Sequence, residues 1–316
     1  MRVTMSLQLA LPLLAGVATA STSEQVFYFG DPQIGFGKSG WQEDEARFAA
    51  AAKAASGAAA TVVAGDLVNV WDNATLTSGF DDVWPAMFDK RKVHLIPGNH
   101  DVNSDAPDAA SFESQLAHYR NTFGQDFHSF RTQFASFIMI NSESLILPHL
   151  GLNGTSLDAF LTNETETQWA WMERELAAAQ KATPHTVVVS HHPPFLKAED
   201  EKHVYWNWPM GERNRLLGLL QKYGVQNILC GHTHTTTNVS IGGLNIFTVA
   251  GTARAFDNNG CGYRVLTITE KDISSVYVRQ TDPSLTQCTP SLEHPDFADN
   301  PALRGTAWAD LRWLLP

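Results

Sequence analysis

The sequence predicts an α/β domain whose strands have parallel character at first and close with antiparallel strands. Short apolar runs of strand length recur along the chain, and helical patterns lie between them. Towards the C-terminus, strand-like runs follow one another without an intervening helix. Strands that alternate with helices are typical of parallel sheets, whereas consecutive strands favour antiparallel pairing. A chain of 316 residues that is 43% hydrophobic can build a sizeable core around such sheets.

The parallel part of the prediction depends on six apolar runs. Each has the length of a strand and is followed by polar or turn-forming residues, as expected for strands buried in a sheet. The predicted strands are residues 26–30, 61–65, 93–97, 134–141, 186–190 and 227–231.

Three of the intervening segments have helical patterns. The first begins with acidic residues, becomes Ala-rich and stops at Gly57, which agrees with the helix dipole and with glycine as a stop signal. The second places Trp169, Met172 and Leu176 on one face. The predicted helices are residues 41–56, 164–181 and 210–223.

The C-terminal part of the chain has a different pattern. Residues 237–249, 263–269 and 274–280 have strand composition with no helix between them, which predicts the antiparallel closure. The chain then becomes rich in Pro and Asp, and we expect it to pack on the surface. Since there is no internal repeat and no clear linker, we predict one domain over residues 21–280 and a tail over residues 281–316.

The first 20 residues have the pattern of a secretory signal peptide. Arg2 gives a positive start, residues 7–17 form an apolar run too short to span a bilayer, and Ala18 and Ala20 are small residues at the cleavage positions. The alternative is a buried first helix. Four sequons fit a secretory route and predict a glycoprotein: Asn73, Asn153, Asn163 and Asn238. We therefore expect a secreted, extracellular protein.

The three cysteines all lie in the C-terminal third. Cys230 stands inside an apolar run and is predicted to be a buried thiol. Cys261 and Cys288 either form a disulfide, which an oxidising compartment permits, or remain unpaired thiols.

The chain is acidic, with a net charge of −11. Such a chain repels nucleic acid and anionic membranes, so no nucleic-acid partner is expected. No segment after the first 20 residues is long and apolar enough to span a membrane. A phosphorylated substrate would need local positive charge, for which bound metal ions are one source. The oligomeric state does not follow from these observations.

Polar side chains follow five of the predicted strands, at the point where each strand ends. Because the carboxyl ends of parallel strands meet at one edge of a sheet, we expect these side chains to lie together. Most are preceded by a glycine, which lets the backbone approach closely. They are Asp31, Asp66, Asn99, His100, Asp101, His191, His232 and His234.

Carboxylate, amide and imidazole groups in this number are typical of a site for two divalent cations that act on a phosphate. A carboxylate between the two ions can bridge them, and the other groups complete each side. The Gly-Asn-His-Asp turn adds His100, which need not bind metal and can protonate the leaving oxygen. Asp101 is predicted to raise the basicity of His100.

The motifs together resemble the calcineurin-like metallophosphoesterase superfamily over roughly residues 26–280. The resemblance implies a four-layer α/β/β/α sandwich of two mixed sheets flanked by helices, and two divalent metal ions. It is carried by Asp31-Pro-Gln33, Gly65-Asp66, Gly98-Asn-His-Asp101, His191-His-Pro193 and Gly231-His-Thr-His234.

By position, the resemblance implies the ligands of each metal. One metal takes Asp31, Asp66 and His234 with Gln33 beside them, and the other takes Asp66, Asn99, His191 and His232. His100 matches the acid residue of the family. His192 is the less favoured neighbour, because His191 holds the first place of the His-x-Pro motif.

Gln33 stands where the superfamily usually has histidine. Asp-Pro-Gln resembles a subgroup named for its calcineurin-like phosphoesterase domain, so Gln33 is interpreted as a subgroup trait. An amide donates less charge than imidazole, and we expect weaker binding at that metal, with Mn, Mg or Fe tolerated beside Zn.

Purple acid phosphatases have tyrosine where this chain has Asn69, so their charge-transfer iron site is not expected.

The sequence gives only weak candidates for substrate binding. The segment 203–210 contains Trp206 and Trp208, which either stack on an aromatic leaving group or form a hydrophobic lid over the metal edge. Arg213 and Arg254 either touch a phosphate oxygen or are ordinary surface residues.

The sequence therefore predicts a secreted two-metal phosphoester hydrolase that uses a metal-bound hydroxide as nucleophile, with no covalent phosphoenzyme. The expected substrates are phosphomonoesters, either small molecules or phosphoproteins. The first alternative is a phosphodiesterase on the same metal core. The second is a non-catalytic secreted binding protein with a degenerate metal site, for which Gln33 is the one hint.

Overall fold

The computed structural model describes residues 21–87, 92–102, 109–146, 159–282, 284–286 and 288. Within these residues the chain forms two mixed sheets with helices on their outer faces. The predicted signal peptide, the sequon Asn153 and most of the predicted tail lie outside the described residues.

The first sheet has five strands. One side of it is the parallel set β1 (Ser23–Phe29), β2 (Ala60–Ala64) and β3 (Val93–Ile96). The last two strands, β10 (Gly262–Thr269) and β11 (Ile273–Arg279), return to this sheet and extend it antiparallel beside β1. The strand order is β11-β10-β1-β2-β3.

The second sheet has six strands in the order β4-β5-β6-β7-β9-β8. Strands β5 (Ala135–Met139), β6 (His185–Ser190), β7 (Asn227–Cys230) and β9 (Leu244–Thr248) are parallel. The edges, β4 (His128–Arg131) and β8 (Asn238–Ile241), pair antiparallel with their neighbours. The predicted strand 237–249 is thus the hairpin β8–β9, which turns at Gly242 and Gly243, both at positive φ.

Apolar side chains on the two faces of the strands form three hydrophobic layers. In β1, Phe27 and Phe29 face one side and pack with Phe48 and Phe80 from the helices. The alternate residues of the strands fill the space between the two sheets, because successive side chains of a strand point to opposite faces. A third cluster covers the outer face of the second sheet. The predicted four-layer α/β/β/α sandwich is therefore confirmed.

Six helices lie among the described residues. Helices α1 (Trp41–Ala54), α2 (Ala74–Met87) and α3 (Ala109–Thr122) contribute to the core of the first sheet. Helices α4 (Ser142–Ile146), α5 (Ala159–Ala179) and α6 (Met210–Lys222) contribute to that of the second. The three predicted helices are present, and α5 begins five residues earlier than predicted. Trp169, Met172 and Leu176 share its buried face as expected.

Strand β4 and helices α2, α3 and α4 were not predicted. Helix α2 begins after Asn73, whose Oδ1 accepts the backbone N–H of Thr75 and of Leu76. This is an N-cap, and it was visible in the sequence, where Asn73 was considered only as a sequon. Helix α4 is a single buried turn, too short to show a period.

The cysteines adopt one of the two predicted arrangements. Cys261 and Cys288 form a disulfide, and Cys230 is a buried free thiol. The described part of the tail is also held by α1, since Arg47 donates to the carbonyl of Thr286 at 2.6 Å.

No helix among the described residues has the length and apolar character needed to cross a bilayer.

Candidate metal centre

The loops that follow the strands bring the predicted ligands into one buried cluster. The loop after β1 lies beside the loop after β2, because Asp31 N–H donates to Gly65 and Gln33 N–H donates to Asp66. The second sheet is joined to the same place, since His232 N–H donates to both carboxylate oxygens of Asp31 at 3.0 Å.

Backbone strain is concentrated in this cluster. All of the described non-glycine residues with positive φ are predicted metal ligands, and their φ angles lie between 35° and 66°. The left-handed region costs a non-glycine residue energy, and such residues gather at functional sites. They are Asp31, Gln33, Asp66, His232 and His234.

Two glycines are required by the close packing of the ligands. A Cβ on Gly65 would overlap the imidazole of His191, and a Cβ on Gly98 would overlap the carboxylate and backbone nitrogen of Asp66. The glycines that precede the ligands in the motifs therefore make room for the ligands of neighbouring strands.

Each of the three predicted histidine ligands has one ring nitrogen held by a backbone carbonyl. Because a carbonyl only accepts hydrogen bonds, the held nitrogen carries the proton and the other nitrogen presents its lone pair. Such contacts fix the tautomer and orientation of metal-ligating histidines. The contacts are His191 Nδ1 to Ala64 O at 2.8 Å, His232 Nε2 to Tyr205 O at 3.1 Å, and His234 Nδ1 to Arg254 O at 3.0 Å.

The remaining nitrogens of two of these histidines face the carboxylates. His191 Nε2 lies 3.3 Å from Asp66 Oδ1 and 3.1 Å from Asn99 Oδ1. His234 Nε2 lies 3.5 Å from Asp31 Oδ1. Ligand atoms of Asp31, Asp66 and His191 all lie within 4.8 Å of one another, which is close enough for a shared cation.

Burial makes negative charge on the two carboxylates costly unless a positive group lies beside them. Burial raises the pKa of Asp31 well above its ordinary value, and the charge of Asp66 raises it further, against the opposing effect of His191. Burial also opposes ionisation of Asp66, yet the adjacent His191 and His100 hold the pKa of Asp66 below its usual value. Burial opposes a positive charge on the His191 imidazole, but the adjacent Asp66 carboxylate outweighs it and raises the pKa of His191 to about 10. The cluster therefore favours a positive charge beside Asp66, which a cation can supply.

Gln33 occupies this cluster with one end of its amide unsatisfied. Its Nε2 donates to Asn69 Oδ1 at 3.2 Å, while its Oε1 is buried without a hydrogen-bond partner. A buried polar atom without a partner is costly, so such an atom in a ligand cluster is a candidate metal ligand. The predicted residues thus fit divalent cations: two carboxylates, three imidazoles and two amide oxygens form a mixed oxygen and nitrogen donor set.

The structure corrects the predicted relationship between His100 and Asp101. The Asp101 carboxylate accepts backbone N–H groups of Leu67, Val68 and Gly98, at 2.9 to 3.2 Å, so it joins two site loops. The imidazole of His100 is held instead by the carbonyl of Asn69, which lies 2.9 Å from Nδ1. Burial and the charge of Asp66 raise the pKa of Asp101 to about 7. The turn that contains both residues is closed by the N–H of Asp101, which donates to the carbonyl of Gly98 at 3.1 Å.

His192 lies nearer the centre than its place in the motif suggested. Its ring centroid is 3.7 Å from that of His232, and ligand atoms of His191, His192 and His232 lie within 4.8 Å of one another. Its Nδ1 is 2.8 Å from Oε1 of Glu143, which is fully buried on helix α4. The carboxylate orients His192 as the carbonyls orient the three predicted ligands.

The weak candidates for substrate binding have structural contacts. Trp208 is fully buried in the core of the second sheet and donates to the carbonyl of His192 at 2.9 Å, so it does not stack on a leaving group. Trp206 is also fully buried, with its ring 5.2 Å from that of His232. Arg213 donates to carbonyls of the preceding loop. The guanidinium of Arg254 lies over the ring of Phe36 at 4.7 Å.

Two residues that contact the proposed ligands, Asn69 and Tyr205, were not identified from the sequence as part of the centre. Asn69 contacts both Gln33 and His100, although the sequence identified it only as a departure from a related family. Tyr205 contacts Asn99 through its hydroxyl group and His232 through its carbonyl. In the sequence, no pattern distinguishes Tyr205 from the tryptophan that follows it.

Comparison with known proteins places the same residues in a family context. The family model described as calcineurin-like phosphoesterase matches residues 25–236. The serine/threonine-protein phosphatase CPPED1 of Rattus norvegicus is 27% identical over 184 residues, which cover 58% of this chain and 54% of that protein. The chain spans about half the length of the curated CPPED1 relatives it matches.

Solved structures show the same architecture at low sequence identity. A purple acid phosphatase from yellow lupin seeds has a TM-score of 0.57 at 15% identity, with 85% of this chain and 53% of that chain covered. A dimetal phosphatase from Danio rerio has a TM-score of 0.55 at 13% identity, with 82% and 99% covered. These similarities show a shared fold.

Proposed function

Since the chain belongs to the calcineurin-like phosphoesterase family, we propose that it is a phosphoester hydrolase with two divalent metal ions. One observation carries the proposal: three buried imidazoles, each oriented by a backbone carbonyl, surround carboxylates from two strand ends. This orientation prepares the imidazoles to bind metal, and the ester assays below separate a hydrolase from a protein that only binds metal.

The proposed ligands form two sets that share Asp66. Asp31, Gln33, Asp66 and His234 hold one ion, and Asp66, Asn99, His191 and His232 hold the other. The unpartnered Oε1 of Gln33 supports the first set, and the approach of Asn99 Oδ1 to His191 Nε2 supports the second. When bound, such ions supply Lewis-acid charge for phosphoryl oxygens and activate water. The donor types suit Mn, Fe, Zn or Mg.

His100 is proposed as the residue that protonates the leaving oxygen. The carbonyl of Asn69 holds Nδ1–H, so Nε2 is the nitrogen that exchanges a proton. The backbone N–H of His100 donates to Asp66 Oδ1 at 2.9 Å, which places the imidazole beside the shared ligand. A proton donor at this place is what an ester with a poor leaving group requires.

The proposed substrates are phosphomonoesters, either small molecules or phosphoproteins. Support comes from the relatives, which are named serine/threonine-protein phosphatases. The acidic net charge of −11 means that attraction of the phosphate depends on the metal ions and not on the chain as a whole.

We also propose that the protein resides in the secretory pathway or outside the cell. The disulfide between Cys261 and Cys288 supports this, because disulfides persist in oxidising compartments. The three described sequon asparagines, Asn73, Asn163 and Asn238, are exposed, as glycosylation would require. Glycosidase-sensitive mass on the protein from its natural host would test the proposal, and an unmodified cytosolic protein would contradict it.

A metal analysis combined with two ester assays tests the proposed activity. Purified protein is analysed for bound metals, then stripped and reloaded with each candidate ion before assay on p-nitrophenyl phosphate and bis-p-nitrophenyl phosphate. Two metals per chain and faster monoester hydrolysis are expected. Faster diester hydrolysis would favour a phosphodiesterase, and metal binding without hydrolysis of either ester would favour a binding protein.

A further inference from the structure

Tyr205 touches two of the proposed ligands of one metal through two different groups. Its hydroxyl oxygen accepts a hydrogen bond from Asn99 Nδ2 at 3.3 Å, and its backbone carbonyl lies 3.1 Å from His232 Nε2. Its ring lies 4.9 Å from the ring of His232. Asn99 and His232 follow strands of different sheets, so this one residue connects both halves of the centre.

The segment that carries Tyr205, residues 196–208, is held by a dense set of internal hydrogen bonds. The carboxylate of Glu201 accepts the backbone N–H groups of Leu196, Lys197 and Ala198, and also the amide of Asn207. Such a segment has a fixed shape although it contains neither helix nor strand.

Arg213, on helix α6, also holds this segment in place. It is fully buried, and its guanidinium donates to the carbonyls of Glu199, Glu201 and Trp208 at 2.5 to 3.1 Å. A fully buried guanidinium bound to three carbonyls is a strong constraint. The position of Tyr205 is therefore built into the fold.

The contact with Asn99 matters because the two ends of an amide differ. Only the oxygen of an asparagine amide binds a divalent cation, whereas the NH₂ group donates hydrogen bonds. The Tyr205 hydroxyl accepts from Nδ2, and Oδ1 of the same amide lies 3.1 Å from His191 Nε2, among the proposed ligands. A hydroxyl group can accept from Nδ2 or donate to Oδ1, so the contact restrains the position of the Asn99 amide, which in this structure directs Oδ1 towards His191.

We propose that Tyr205 is a positioning residue that orients Asn99 and His232 for the second metal ion. This inference rests on the proposed function, because it assumes that these two residues bind metal. Loss of the hydroxyl group removes this restraint on the Asn99 amide and so weakens binding of that ion, while the backbone contact to His232 remains.

The test is Tyr205→Phe, which keeps the ring and the carbonyl and removes the hydroxyl group. Isothermal titration of metal-stripped protein with Mn²⁺ or Zn²⁺ should show one of two binding steps weakened by roughly 10–100-fold, with the other unchanged. Tyr223→Phe is the matched control: it removes a phenol that contacts Glu173 on α5. Its two steps should equal those of the wild type.

The same Tyr205→Phe change in a protein altered at position 99 shows whether the hydroxyl group acts through Asn99 or stabilises the fold in general. In Asn99→Ala protein the amide that the hydroxyl group contacts is absent, so loss of the Tyr205 hydroxyl should cause no further weakening of that step. Equal losses in both backgrounds, or unchanged metal affinity with a lower melting temperature of the metal-free protein, would overturn the inference. Wild-type protein that takes up no metal would overturn the proposed function as well, so the two failures are distinguishable.

Discussion

Nε2 of Gln33 donates to Oδ1 of Asn69 across 3.2 Å, and this contact leaves Oε1 of Gln33 as the end of the amide without a partner. The carbonyl of Asn69 at the same time lies 2.9 Å from Nδ1 of His100. Asn69 thus orients both the unusual residue of the metal centre and the proposed proton donor. The amide at position 33 has a supporting partner of its own, as expected of a ligand selected for this place.

Asp66 is the proposed ligand shared by both ions, and Asp66→Asn should abolish both binding steps. Asparagine keeps the size of the side chain and can accept the N–H of His100, so the fold should persist. Hydrolysis should fall by several orders of magnitude, because no other residue belongs to both sets. Metal content and p-nitrophenyl phosphate turnover are measured beside Asp272→Asn, a control in an exposed turn. Near-normal turnover of Asp66→Asn would refute the two-metal centre.

His100→Ala should retain both metals and lose the proton donor. Esters with poor leaving groups, such as alkyl phosphates, should slow by roughly 10²–10⁴-fold. Aryl esters such as p-nitrophenyl phosphate need less protonation and should slow less, so the comparison contains its own control. Steady-state kinetics on both ester types and metal analysis check the outcome. Equal losses on both types, or loss of a metal, would remove His100 from this role.

The buried carboxyl group of Asp44 should make the stability of the fold depend on pH, independently of catalysis. Burial raises the pKa of Asp44 to about 6, against the hydrogen bonds from Gly37 and Gly35 and the charge of Arg47. The unfolded chain releases this proton near pH 4, about two units earlier. Folded protein therefore holds more protons between about pH 4 and 6, so the contribution of Asp44 to stability falls as the pH rises through this window and then stays constant.

Asp44→Asn should remove this dependence, because the amide cannot ionise and its oxygen can still accept the two N–H groups. Relative to the wild type, its free energy of unfolding should rise between pH 4 and 6 by at most roughly 3 kcal/mol. Urea unfolding of metal-free protein at several pH values measures the difference. A constant difference across the window would show that Asp44 does not titrate as described.

The sequence predicted the strands that precede the proposed ligands, and the grouping of those residues, because both depend on local patterns. An apolar run sets each strand, and a glycine before the ligand allows the close packing seen at Gly65 and Gly98. The fold class followed from the same runs. Helix α3 was missed although its core residues Phe112, Leu116 and Tyr119 recur at helical spacing, so this helix was within reach of the sequence.

Contacts between distant segments were beyond the reach of such patterns. The carboxylate of Asp101 turns towards Leu67 and Val68, which are more than thirty positions away in the chain. The shape of residues 196–208 depends on the buried guanidinium of Arg213, which is indistinguishable in sequence from a surface arginine. Position along the chain predicted which residues gather at this place, but only the folded chain shows what orients them.

Gln33→Ala removes the unpartnered oxygen and should weaken one of the two metal-binding steps. The other step should remain, because Tyr205 and Ala64 hold its proposed ligands Asn99, His191 and His232. Isothermal titration of metal-stripped protein resolves the two steps. Gln221→Ala, at an exposed position on α6, is the matched control. Weakening of both steps would mean that Gln33 supports the centre as a whole and is not a ligand of one ion.

Gln33→His should strengthen the metal-binding step that Gln33→Ala weakens. Imidazole binds first-row transition metals more firmly than an amide oxygen does, whereas Mg²⁺ gains little from it. The variant should therefore bind Zn²⁺ or Mn²⁺ more tightly at the same step that Gln33→Ala weakens, with little change for Mg²⁺. Titrations with Zn²⁺ and Mg²⁺ side by side measure this selectivity. If neither substitution moves either step, Gln33 is a structural residue, and the ligands of that ion are Asp31, Asp66 and His234 alone.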